Sequence, residues 1–158
     1  MAVFYSFHYD RDNWRVQQIK QMGVIEEEPI LNSQEWEAVR RQSDRAIQTW
    51  IDDQMRYKRA VVVLIGAQTA SRTWVEYEIR KAWGDRKPLV GIRVHGLEDS
   101  NRRADSRGAD PFAAIKTESG YPLSTWVPVH DPSGPNGRVV YNSIKQNLTT
   151  WVSGAYKP

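Results

Sequence analysis

The sequence RAVVVLIGAQTASRTWVEYEIRK, residues 59–81, decides the fold of this chain. The six apolar residues at 60–65 predict a strand that is buried on both faces, because no polar residue alternates with them. Gly66 ends the strand, a polar loop follows over 67–71, and an amphipathic helix begins after it. A buried strand that leads into a helix is typical of an α/β protein with a parallel sheet.

One carboxylate occupies an unexpected place on this helix. At about 100° per residue, the apolar side chains share one arc of the helix surface. The members of this arc are Trp74, Val75, Ile79, Ala82 and Trp83. Glu78 lies inside the arc, and burying an unpaired charge costs several kcal/mol. Either Glu78 is half exposed or paired with a cation such as Arg72 or Lys81, or it has a chemical role.

Length and composition indicate one soluble domain, residues 1–158, with 40% hydrophobic and 26% charged residues. The longest apolar run is too short to span a membrane, and the N-terminus lacks the pattern of a secretory signal. The absence of cysteine suits a cytoplasmic protein and excludes thiolate metal sites. The net charge of +3 is spread along the chain, so we expect neither a membrane nor nucleic acid as a partner.

The rest of the chain predicts further strands and helices around this unit. The further strands are expected at 3–7, 24–25, 88–94 and 126–129, the last at an edge of the sheet. The further helices are expected from a cap at Asp12 or Asn13 to Met22, from Asn32 over about 33–57, as a short turn at 112–115, and from Asn142 or Ser143 onward. The helix at 33–57 is expected to be the longest, because apolar residues recur along it at three- and four-residue steps.

The expected sheet places a ligand site near Glu78. In open parallel sheets, ligands bind beside the carboxyl ends of the strands. The first strand ends near Ser6, where His8 follows, and the strand at 60–65 ends at Gly66. If these two strands are neighbours, Glu78 faces the space beside both.

Several chemistries lack their sequence motifs. The chain contains neither a phosphate-binding P-loop nor the dinucleotide glycine fingerprint, and it has no metal-ligand spacing, so we expect no metal. His8, His95 and His130 are isolated in sequence, and no nucleophile-elbow sequence supports a serine triad. What remains is a lone carboxylate among aromatic residues, which could stabilise the oxocarbenium-like state of a glycosyl transfer.

Five segments resemble the TIR-like domains of bacterial Thoeris anti-phage systems. They are VFYSFHYDRD at 3–12, SQEWEAVRRQSDRAIQTWI at 33–51, VVVLIGAQTASRTWVEYEIRKA at 61–82, PLVGIRV at 88–94 and GADPF at 108–112. The most specific piece is the pattern IG-x-x-T-x-x-R-x-WV-x-YEI at 65–79. The resemblance covers most of the first 112 residues, and the part from 113 to 158 is expected to add the edge strand and the last helix.

The resemblance implies a flavodoxin-like, three-layer α/β fold with a mainly parallel sheet. It also implies an enzyme that cleaves NAD+ between nicotinamide and ribose and releases a cyclic ADP-ribose isomer. That product is a second messenger for a separate effector protein. NAD+ is then the substrate, no further cofactor is needed, and a homo-oligomer stays open.

The resemblance implies the catalytic residue and a nucleotide pocket at the end of strand one, and the chemistry of nearby residues suggests the other contacts. Its essential glutamate matches Glu78, which is the expected catalytic residue. The expected substrate-binding residues are Tyr5, Ser6, Phe7, His8, Gly66, Arg72 and Trp74. Aromatic side chains suit the flat rings of the substrate, the Gly66 turn permits close approach of the backbone, and arginine suits the pyrophosphate.

Two alternatives share this resemblance. A plain NAD+ hydrolase that acts by depletion uses the same residues and differs only in its product. A non-enzymatic TIR scaffold signals by self-association and does not need Glu78.

Overall fold

The computed structural model describes residues 2–25 and 33–158 and contains a four-stranded parallel sheet. Its strands lie in chain order and are β1 Val3–Ser6, β2 Ala60–Ile65, β3 Leu89–Arg93 and β4 Val129–His130. β2 pairs with β1 and β3, so it is central and every one of its residues is buried. The α/β class predicted from the sequence is confirmed.

Five α-helices connect and cover the strands in the described part of the chain. They are α1 Tyr9–Gln21, α2 Ser33–Arg40, α3 Asp44–Met55, α4 Thr73–Gly84 and α5 Gly137–Ser153. Short 3₁₀ turns lie at Thr69–Ser71 and Leu123–Thr125. No helix within 2–25 and 33–158 combines the length and the hydropathy needed to cross a membrane.

The helices form two layers, one on each face of the sheet. On one face, α1 and α5 pack on the inward side chains of β2 and β3, such as Val62 and Ile92. On the other face, α3 and α4 pack on the alternate side chains of β2, such as Val63 and Ile65. Because successive side chains of a strand point to opposite faces, the apolar run of β2 supplies both cores.

The last residues of the described chain pair with the first residue of β3, at the amino-terminal end of the strands. Tyr156 and Leu89 exchange two backbone hydrogen bonds of 2.8 Å. The Tyr156 ring stacks on Trp83 with ring centres 5.9 Å apart, and Trp126 packs beside both rings. These three rings lie at the edge of the sheet opposite to the carboxyl ends of its strands.

The prediction of one long helix over 33–57 is wrong. Residues 33–40 and 44–55 form two helices, because the Ser43 side chain accepts a hydrogen bond from the Ala46 N–H and caps α3. Ser43 occupies a position that fits the three- and four-residue spacing of the apolar residues, but it caps the start of a second helix. Within the described residues, α5 is the longest helix. The predicted cap Asn32 lies outside the described residues.

Other predicted boundaries also shift. α1 begins at Tyr9, after His8, and not after Asp12 or Asn13; it ends at Gln21, and Gly23, two residues on, has the positive φ of 65° that suits glycine. α5 begins after Asn136, whose side chain accepts from the Val139 N–H, and not after Asn142 or Ser143.

Two predicted strands and one predicted helical turn also differ from the structure. Residues 24–25 form no strand, and Ile25 packs instead into the core beneath α1 and α5. β4 is an edge strand as predicted, but it covers only Val129–His130. The segment at 112–115 is a non-helical turn.

Candidate active site

A cleft of about 430 Å³ opens beside the end of β1, between α3 and α4. We call it the β1–α4 cleft. The residues that line it are Val3, Phe4, Tyr5, Phe7, His8, Tyr9, Asp10, Arg40, Trp50, Ile51, Gln54, Lys58, Arg72, Thr73, Trp74, Val75 and Glu78. Its size lies in the range of typical small-molecule sites.

Glu78 lies at the inner end of this cleft. Its side chain is 8% exposed, and its Oε1 accepts a hydrogen bond of 2.8 Å from the Ser6 hydroxyl. Phe4 and Ser6 point to the same face of β1, because they are two residues apart, and that face packs against α4. The predicted position of Glu78 in a cleft beside the first strand is therefore confirmed.

Burial controls the charge of Glu78. It raises the pKa of the Glu78 carboxyl to about 8, and the Ser6 hydrogen bond opposes this effect. No nitrogen of a described Lys, Arg or His lies within ion-pair distance of the carboxylate; Lys81 pairs with Asp85, and Arg72 donates to Gln68. The alternatives of a half-exposed or cation-paired Glu78 are therefore wrong.

The walls of the cleft combine aromatic and polar side chains. Tyr5, Phe7, His8 and Trp74 all line it, as predicted for the site. Trp74 packs edge-on against Tyr77 with ring centres 5.8 Å apart, which holds the indole at the cleft. Burial raises the pKa of Tyr5 from 10.0 to about 12, so its hydroxyl stays protonated well above neutral pH.

Positive charge lies at the mouth of the cleft. Arg72 is exposed and lines the cleft directly before α4, and no carboxylate of a described residue pairs with it. The pKa of His8 is lowered, first by burial and then by the charge of Arg72, and both effects favour the neutral imidazole. The cleft thus has a cation at its mouth and a buried carboxyl at its inner end.

Two of the predicted substrate-binding residues lie elsewhere. Ser6 is fully buried and does not line the cleft; its hydroxyl contacts Glu78. Gly66 also lies outside the cleft lining, and a Cβ on it would be 2.0 Å from Oδ2 of Asp12. The close approach that requires glycine at this turn is therefore to Asp12.

The wall that α2 and α3 contribute to the cleft was not predicted from the sequence. Arg40 lies at the end of α2 and forms an ion pair of 3.0 Å with Asp10. Trp50 and Gln54 are one turn apart on α3 and line the cleft together. A polar Gln54 four residues after Trp50, on the edge of an apolar stripe, is the signal that could have indicated this wall.

A second charged cluster lies beneath the turn at Gly66. Asp12 and Arg15 on α1 are buried and paired at 3.2 Å. Arg15 also donates to the carbonyl oxygens of Leu97 and Arg103, at 2.8 and 3.0 Å. This cluster ties α1 to the loop after β3 and lies outside the cleft lining.

Comparison with known proteins identifies the family. Residues 4–99, more than half of the chain, match the family described as the TIR-like domain of Thoeris protein ThsB. The chain is also 31% identical over 115 residues to a Bacillus cereus (strain MSX-D12) protein named "Putative cyclic ADP-D-ribose synthase ThsB1". That match covers 70% of this chain and 60% of the relative's length. The parallel sheet, the buried glutamate of α4 and these matches agree: the chain belongs to the family of Thoeris ThsB TIR-like domains.

Proposed function

We propose that this protein cleaves NAD+ at the bond between nicotinamide and ribose and forms a cyclic ADP-ribose isomer. The product acts as a second messenger for a separate effector protein in anti-phage defence. The observation that carries this proposal is the position of Glu78. Its carboxyl is buried at the inner end of the cleft and has no ion-pair partner among the described residues. The relative named as a cyclic ADP-D-ribose synthase supports the same chemistry.

The reaction suits a site of this kind. Nicotinamide leaves as a neutral base and takes the electron pair of the C1′–N bond, so cleavage needs no strong general acid. The ribosyl group then carries the positive charge. A carboxylate fixed in a site of low dielectric stabilises this charge far more than water does. When the cationic nicotinamide ring enters the cleft, its charge favours the ionised form of Glu78.

The remaining side chains of the cleft match the other parts of NAD+. We assign the flat rings of the substrate to Tyr5, Phe7 and Trp74, because aromatic walls exclude water and stack on rings. We assign the pyrophosphate to Arg72, a cation at the mouth with no carboxylate partner among the described residues, with His8 beside it. An adenosine nitrogen or hydroxyl that reaches C1′ before water gives the cyclic product.

Turnover of NAD+ tests the proposal. Purified protein is incubated with NAD+, and nicotinamide and the ribosyl product are followed by mass spectrometry. Glu78→Gln keeps the shape of the side chain but removes its charge, and we expect a fall in turnover of a hundredfold or more. Glu76→Gln is the matched control, because Glu76 lies on the same helix but is exposed and pairs with Arg80.

The products separate the proposal from its alternatives. Linear ADP-ribose as the sole product would favour a hydrolase that depletes NAD+. Equal turnover by the wild type and Glu78→Gln would contradict the assignment of Glu78. The assay is repeated in extracts of phage-infected cells, so that an enzyme requiring a trigger is also tested. If signalling persists with Glu78→Gln, the scaffold alternative stands.

The proposal includes the setting of the reaction. We place the enzyme in the cytoplasm, where NAD+ is available, and a chain without cysteine needs no oxidising compartment to form disulfides. The effector interacts with the protein only through the product, and NAD+ is a substrate that needs no additional cofactor. Self-association stays part of the proposal, and gel filtration with and without NAD+ tests it.

A further inference from the structure

The link between Ser6 and Glu78 joins distant parts of the sequence. Ser6 is the last residue of β1, Glu78 lies on α4, and the Oγ–Oε1 distance is 2.8 Å. Both residues are buried, but Glu78 lines the β1–α4 cleft and Ser6 does not. The Ser6 hydroxyl therefore cannot contact a ligand in the cleft except through Glu78.

The backbone around Ser6 is rigid. Ser6 pairs with Val63 in the parallel ladder between β1 and β2, and α4 packs on both strands. A glutamate side chain has three rotatable bonds, and fixing them costs conformational entropy. A hydroxyl on a strand can hold one oxygen of Glu78 in place before the substrate binds. Oε2 accepts no hydrogen bond from a described residue and is left for the substrate.

We propose that Ser6 is a positioning residue, which holds Oε1 of Glu78 so that Oε2 faces the ribose of the bound nucleotide. This inference rests on the proposed function and gives Ser6 a different role from the substrate contact that the sequence predicts. The Ser6 hydrogen bond also favours the ionised carboxylate, because a hydroxyl donates more strongly to a charged oxygen than to a neutral one.

No charged group of a described residue lies within ion-pair distance of the Glu78 carboxyl. β2 carries no titratable residue, and the single charged residue of β3, Arg93, donates to the Gly108 carbonyl. On α3, Asp52 accepts from the Tyr77 hydroxyl at 2.7 Å. His8 and Arg72 line the same cleft but lie beyond ion-pair distance of Glu78. A change at Ser6 should therefore act directly on Glu78.

The first test needs no substrate. The pKa of the Glu78 carboxyl is measured by ¹³C NMR in the wild type and in the Ser6→Ala and Ser6→Cys variants. The cysteine side chain has nearly the shape of serine but is a weak hydrogen-bond donor. We expect a higher pKa in both variants. Thr69→Val is the matched control, because Thr69 is a fully buried hydroxyl that binds the Gly66 N–H and not Glu78. An unchanged pKa of Glu78 in the folded Ser6 variants would overturn the inference.

The second test is kinetic. A hydrogen bond to a charged group contributes roughly a tenfold to hundredfold effect, so we expect kcat of Ser6→Ala to fall by that factor while KM changes less than about threefold. The rise of kcat with pH should move to higher pH, and Ser6→Thr, which keeps the hydroxyl, should restore much of the rate. A merely structural loss would lower the folded fraction without moving the pH profile.

The two proposals fail in different ways. If Glu78→Gln turns over NAD+ normally, the proposed function is wrong, whatever the Ser6 variants do. If Glu78→Gln is inactive but Ser6→Ala keeps the kcat and the pH profile of the wild type, the role of Ser6 alone is wrong.

Discussion

Gly66 and Asp12 lie so close together that no side chain fits between them. A Cβ on Gly66 would be 2.0 Å from Oδ2 of Asp12, although Gly66 directly follows β2 and Asp12 lies in the first turn of α1. Asp12 is fully buried and held by Arg15, so its carboxylate cannot swing away. This contact fixes where α1 meets the sheet at the edge that carries the cleft.

Gly66→Ala is therefore expected to destabilise the fold. Overpacking of a well-packed site costs about 1–3 kcal/mol, and we expect at least that loss in the free energy of unfolding by urea denaturation. Gly84→Ala is the control, because a Cβ there meets no atom within 4 Å. Equal stability of the two variants would contradict the contact with Asp12.

The ionisation of Glu78 should destabilise the folded protein as the pH rises. The folded protein keeps the Glu78 proton up to about pH 8, whereas the unfolded chain releases it near its ordinary value of 4.5. Between these values the folded state binds more protons, so this group lowers the free energy of unfolding with rising pH. Glu78→Gln should match the wild type near pH 4.5 and exceed it by about 4 kcal/mol at pH 8.

Chemical denaturation at pH 5, 6.5 and 8, with Glu76→Gln as the control, measures this difference. A constant gap between Glu78→Gln and the wild type across that range would show that the Glu78 carboxyl is not desolvated.

The buried pair of Asp12 and Arg15 should contribute to stability and little to catalysis. Arg15→Met leaves the Asp12 carboxylate buried without its cation, and breaking a buried pair in this way costs about 3–5 kcal/mol. Arg11→Gln removes the more exposed pair with Asp105 and should cost about 0–1 kcal/mol. Thermal unfolding of both variants measures the contrast, and similar melting temperatures would argue against a buried anchor at Arg15.

Arg72 should contribute to the binding of NAD+ and not to bond cleavage. Arg72→Gln removes a cation at the mouth of the cleft that pairs with no carboxylate of a described residue, so we expect KM for NAD+ to rise about tenfold with kcat nearly unchanged. Arg80→Gln is the control on α4, because Arg80 pairs with Glu76 outside the cleft. A fall in kcat at unchanged KM would place Arg72 at the reacting bond instead.

The Tyr5 ring, and not its hydroxyl, should matter for the substrate. The hydroxyl is protonated at neutral pH even at its ordinary pKa of 10.0, and burial raises that pKa further, so the hydroxyl supplies no charge. Tyr5→Phe should keep kcat/KM within about threefold, whereas Tyr5→Leu should lose about tenfold, because stacking of a base on an aromatic ring contributes about 1–3 kcal/mol. A larger loss with phenylalanine than with leucine would contradict a stacking role.

The sequence predicts those parts of the fold and site that depend on local periodicity. The apolar run of β2 and the helical arc of α4 are both regular, so the buried position of Glu78 follows from them. The break between α2 and α3 was not predictable in this way, because Ser43 fits the apolar spacing and acts as a cap only when the chain before it turns.

Contacts between distant residues could not be predicted. Ser6 appears in sequence as a polar residue at a strand end, and nothing local indicates that its partner is 72 positions away. Gly66 appears as a flexible turn beside a ligand, but the structure places Asp12 against it. Trp50 and Gln54 join the cleft only because α3 packs beside β1, which depends on the order of the strands.

All residues that line the β1–α4 cleft in the described part of the chain lie between positions 3 and 78. The segment from β3 onward supplies core and edge, including the Tyr156 pairing with Leu89, but no atom of the cleft surface. The described residues of the cleft and the residues that complete the sheet and its core after β3 thus occupy separate parts of the sequence. A chimera that takes its residues after position 94 from a relative, with the buried positions kept apolar, should retain the parent's product and differ in stability alone.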